Sequence, residues 1–190
     1  MRQFASSGFR IWNLSREAKL IYTCFGLFSL AAIVVSMMFY EDLVGPKTAG
    51  VAGYYAGGVA TAPRAPAEHG GPAMELPPEA TAPAMTVPVT YRKLLEVTHF
   101  HLFTLPVFLL IIGHLFMLTG LSSTAKSAWI VTGWASAFVH LLAPWLIRYG
   151  GAAWSFTYPV SGAAMGLALA VMTAYPIVVM WMPRPEGVKG

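Results

Sequence analysis

Glu96, His99, His101 and His114 all lie in one apolar stretch, RKLLEVTHFHLFTLPVFLLIIGHL (residues 92–115), and His140 lies in the next apolar run. In hydrocarbon an ionisable side chain costs on the order of 3 kcal/mol unless it pairs or faces a cavity, so each of these residues is a functional candidate. Neutral imidazole binds iron, copper and zinc, and a carboxylate beside it adds an oxygen ligand.

Depth decides which of these groups can meet. If their helix starts at Arg92, His99 and His101 stand seven and nine residues in, about 10 to 14 Å at 1.5 Å per residue. Counted back from Arg148, His140 stands eight residues in, about 12 Å. On antiparallel neighbours the two sets are level. A rotation of about 100° per residue puts Glu96, His99, Phe103 and Leu110 on one face and returns His114 to within about 60° of His99. His101 points to nearly the opposite side, and Pro106 is expected to kink the helix. The expected pair is His99 with His140, and His101 is the competing ligand.

Three chemistries use this set. A haem b takes one imidazole from each of two helices, with small residues beside the macrocycle. Gly133, Ser136 and Ala137 lie on a compatible face before His140, and Arg92, Lys93 or Arg148 is placed to meet the propionates. A non-haem metal site draws on Glu96, His99, His101 and His140. Glu96-x-x-His99 is the form in which di-iron bundles present ligands, although those use it twice. With no cofactor, Glu96 pairs with Arg92 or Lys93 while the histidines donate to carbonyls freed by Pro106 and Pro144, tying helices together. A proton relay in a transporter is a further reading, against which stands the lack of matched broken helices.

The elements that must position these residues are membrane helices. Of the 190 residues, 56% are hydrophobic and 11% charged, and the mean hydropathy is +0.60. Apolar runs at 20–40, 92–119, 128–147 and 160–182 each have the roughly 20 residues that span a hydrocarbon core as a helix. The expected fold is an all-α integral membrane protein, a four-transmembrane-helix bundle of up-down topology. No small-residue cleavage site closes the first run, which is expected to stay as a span.

Seven of the 12 Lys and Arg residues (Arg2, Arg10, Arg16, Lys19, Lys126, Arg184 and Lys189) fall on the side of the termini. Six of the eight acids (Glu41, Asp42, Glu68, Glu75, Glu79 and Glu96) fall on the other side. Both termini are therefore expected to be cytoplasmic, in a bacterial inner membrane. These flanks account for the net charge of +4, and no basic stripe suggests nucleic acid. Cys24 is the single cysteine, which rules out an intramolecular disulfide, a CxxCH haem attachment and a thiolate zinc site. The hydrolase, phosphate-loop and nucleotide fingerprints are absent, so a non-catalytic subunit is expected.

Around the spans, residues 1–19 read as a cytoplasmic amphipathic arm, 120–127 as a short turn, 148–159 as an external loop and 183–190 as a tail. Residues 41–91 are rich in Gly, Ala and Pro and contain His69. They are expected to be extended or disordered unless a partner orders them. Gly162, Gly166, Ala170 and Ala174 form a small-residue ridge at four-residue steps in the fourth run, a packing face within the bundle or towards another membrane subunit.

With His99 or His101, His114 and His140 on two neighbouring helices, the chain resembles the four-helix b-type cytochrome subunits that anchor bacterial respiratory enzymes. That resemblance implies one haem b near the outer face, electron transfer to or from a quinone or an external redox protein, and membership of a larger complex. It departs from a two-haem pattern because His114 has no second histidine at its own depth.

Overall fold

Three of the four long helices begin at a hydroxyl side chain. Ser15, Thr90 and Ser122 accept the backbone N–H of Ala18, Lys93 and Ala125 at 3.3, 3.2 and 3.2 Å, which satisfies donors that hydrocarbon would leave bare. Two of these helices end at a glycine, Gly45 with φ 68° and Gly151 with φ 101°, in a region that a Cβ disfavours. The computed structural model describes residues 10–45, 48–59 and 85–183.

The elements run α1 (Arg16–Val44), α2 (Thr48–Ala56), β1 (Gly58–Val59), β2 (Met85–Thr86), α3 (Tyr91–Met117), α4 (Ser123–Gly150) and α5 (Thr157–Trp181). Among the described residues, helices α1, α3, α4 and α5 are the four long and apolar enough to cross a membrane. The protein is an all-α membrane bundle, with β1 and β2 forming only a two-residue antiparallel ladder. The first three of these helices have 29, 27 and 28 residues, about 40 Å each, so they overrun a core of about 30 Å and carry their end turns into the headgroups.

Helix α5 is the hub, packing against each of the other spans. Leu109, Ile112 and Phe116 of α3 bury against Ala137 of α4 and Leu169 and Met172 of α5. Helix α1 reaches α5 at Gly26, where an added Cβ would overlap Ile177 and lie 3.3 Å from Thr173. The small-residue ridge acts inside the bundle at Gly162, which meets the His140 ring, whereas Gly166 has nothing within 4 Å of where its Cβ would stand. Polar ties pin the ends: the Trp145 indole donates to Thr98 at 2.8 Å, the Trp181 indole to Thr23 at 2.9 Å, and Arg148 Nε to the Val89 carbonyl at 3.0 Å.

The 41–91 segment departs from the expected extended chain. Helix α2 forms because Val51 and Tyr55, one turn apart, bury with Val44, Leu94 and Ile147 over the end of α3 and α4. The Tyr55 ring lies 5.3 Å from that of Tyr158, and burial, reinforced by Tyr158, pushes its phenol well above the ordinary range. His69 and residues 60–84 lie outside the described residues. At the opposite end the arm is described from residue 10, as a 3-10 turn, Ile11–Asn13, that leads into α1 at Arg16. Ile11 is buried against Leu115 and Met180, and its N–H donates to the Leu118 carbonyl at 3.1 Å. Its apolar side chain closes the bundle end.

Gly26→Ile is expected to force α1 off α5 and destabilise the bundle by about 1 to 3 kcal/mol, read as a lower unfolding midpoint in detergent. An unchanged midpoint would show that α1 is not held there.

Candidate functional site

His140 sits on α4 ten residues before Gly150, about 15 Å from that helix end. Its Nδ1 lies 3.2 Å from the Tyr158 carbonyl and 3.1 Å from Ser161 Oγ. The Ser161 hydroxyl donates to the Thr157 carbonyl at 2.6 Å, so its oxygen and the Tyr158 carbonyl both accept from an Nδ1–H. Those partners assign the tautomer. The ring packs against that of Tyr158 at 4.3 Å and a tilt of 33°, and a Cβ on Gly162 would stand 3.1 Å from His140 Cε1. Glycine is what lets the imidazole reach α5.

On α3 the Thr98–Trp145 bond marks the direction of the core. Successive residues turn by about 100°, so His99 is carried away from α4 while His101 returns to about 60° from Thr98. This is why the structure does not bring His99 and His140 together, although depth alone pairs them. His99 is exposed, with its ring edge-on to Phe100 at 5.9 Å and Phe103 at 5.1 Å. His101 donates Nδ1–H to the Val97 carbonyl at 2.8 Å and lines a cleft of about 90 Å³ with Leu105, Trp134, Ala137 and Phe138. It is ten residues from the start of α3, so it, and not His99, is level with His140.

Towards the helix ends, Glu96 pairs with Lys93 at 3.3 Å, both half exposed, and His114 donates Nδ1–H to the Leu110 carbonyl at 2.8 Å. Arg92 is exposed, and Arg148 is engaged with Val89. Sequence reasoning missed Thr98, Tyr158 and Ser161. Ser161 is only four residues into α5, so counting depth from helix ends places it well above His140.

The geometry tests the expected cofactors. Nδ1–H tied to a carbonyl leaves Nε2 free as a ligand, which suits His101 and His140. The space does not suit a porphyrin: the cleft beside His101 is about 90 Å³, below the roughly 300 Å³ at which pockets for drug-sized molecules begin. His140 is directed into α5, and among the described residues no three His, Cys, Asp or Glu side chains converge on a metal position.

A family model described as a transmembrane helical domain matches residues 45–187. No curated protein and no solved structure matches the chain.

Gly162→Leu is expected to expel the His140 ring from its place between Tyr158 and Ser161 and to lower stability by about 1 to 3 kcal/mol. In a His140→Ala background the same change should cost less, which a double-mutant cycle of detergent unfolding checks. The purified single chain, reduced with dithionite, is expected to lack a haem α band. A sharp band lost in His140→Ala would overturn the space argument.

Proposed function

The chain belongs to the Aq_1264_TM family of transmembrane helical domains, and from that premise we propose that it is a non-catalytic, multi-pass subunit of a bacterial inner-membrane assembly that docks through the outward face of α3. The observation that carries this reading is His99. It lies eight residues into α3, about 12 Å from the helix end and roughly 7 Å below the headgroup boundary. Its ring is exposed, and among the described residues neither ring nitrogen has a hydrogen-bond partner.

Magnitudes separate it from its neighbours. Glu96 and His114 stand about 7 and 5 Å from the ends of α3 and reach the headgroups. His101 satisfies one nitrogen within its own helix. Among the described ionisable groups of α3, His99 is the one at membrane depth whose N–H no hydrogen bond satisfies, a cost of roughly 1 to 3 kcal/mol that a partner's acceptor removes. The cytoplasmic placement of both termini follows from the Lys and Arg bias and is part of the proposal. Electron transfer to a quinone or an external redox protein would need a haem, and the small cleft beside His101 leaves assembly to complete its site.

Solubilised in mild detergent, the protein is expected to run as a particle larger than one chain, and His99→Ala is expected to shift it towards the 20.5 kDa monomer. A single-chain particle, unchanged by His99→Ala, would overturn the proposal.

A further inference from the structure

The outward stripe of α3 contains Glu96, His99, Phe103, Leu110, His114 and Met117, all exposed, with Phe103 at 67% and Leu110 at 53%. Steps of three and four residues are the spacing of a helix-pairing seam. About this stripe, Glu96 and His99 lie on opposite flanks, each about 30° from the centre line, and about 4.5 Å apart along the axis.

That arrangement is self-complementary. Copies of one membrane protein insert with the same orientation, so a two-fold axis along the bilayer normal sets equal residues at equal depth. In parallel paired helices the left flank of one meets the right flank of the other, as the charged flanking positions of coiled coils do. The carboxylate of one copy then meets the imidazole of the other, twice. Lys93 engages Oε2 of Glu96, and the second carboxylate oxygen remains for an imidazole N–H. A foreign helix would have to bring its own complement, whereas a second copy already carries it.

Among the described residues, no other span sets a carboxylate and an unpartnered histidine on one outward stripe. Helix α1 has no charged residue or histidine between Lys19 and Glu41, and α5 has none at all. The one histidine of α4, His140, is turned into the bundle. Lipid suits those faces.

Resting on the docking role proposed above, we propose that the partner of α3 is a second copy of this chain, with Glu96 of each copy accepting a hydrogen bond from His99 of the other. Two such bonds, at the strength common between membrane helices, make the loss in His99→Ala about tenfold in dimer affinity.

The test is disulfide cross-linking of the full chain in its membrane. Cys24, itself exposed, is replaced by Ser, and Phe103→Cys is introduced on the seam. Phe28→Cys, on the 80% exposed lipid face of α1, serves as control. Rapid oxidation of Phe103→Cys to twice the chain mass, slowed by His99→Ala and absent for Phe28→Cys, is the expected result. An adduct of any other mass would overturn the second copy while leaving the docking role intact. No adduct, with a single-chain particle in detergent, would overturn both. Glu96→Ala and His99→Ala should each weaken dimerisation in detergent, measured by analytical ultracentrifugation, and the double variant should be no weaker than the worse single one. Additive losses would overturn the Glu96–His99 contact.

Discussion

Hydrocarbon supplies no hydrogen-bond partner, and the chain is organised around that lack. Four hydroxyls within the spans turn back on their own helix: Ser29 to the Phe25 carbonyl, Thr104 to Phe100, Ser136 to Thr132 and Ser161 to Thr157. His101 and His114 do the same through Nδ1. Each bond lets a polar side chain sit at membrane depth without a neighbour. Bonds that leave the helix, from Trp145, Trp181 and His140, therefore mark where helices must meet in one register.

Close approach comes from small residues. Without a hydrophobic drive between helices in lipid, contact area depends on how near the backbones come. Gly26 admits Ile177, and Gly162 admits the His140 ring. The imidazole thus both fills the interface between α4 and α5 and spends its N–H on the first turn of α5. A residue whose type suggests ligation is engaged in joining two helices.

The same principle explains the two ends. Ile11 seals one end against Leu115 and Met180, while Val51 and Tyr55 of α2 seal the other over Leu94 and Ile147. These caps are short because they shield only end turns that overrun the hydrocarbon. On the side of the bundle, α3 is, among the described spans, the one whose outward surface carries histidines, and that asymmetry separates a packing surface from a lipid surface.

The amino-acid sequence alone determined the number of spans, their approximate bounds and their up-down order, because a run of about 20 apolar residues is a local property that the bilayer reads directly. Only the tertiary structure decided the roles of the histidines. His99 and His140 are level by residue count, but the azimuth of α3, set by Thr98 on Trp145 and by the buried Leu94 and Leu109, turns His99 to the outside. His140 finds Tyr158 and Ser161 because α5 starts deeper than α4 ends, an axial offset that no spacing within either helix encodes. Helix α2 likewise exists because a groove for Val51 and Tyr55 is already there, and a nine-residue segment rich in glycine and alanine has too little helical cooperativity to form without it.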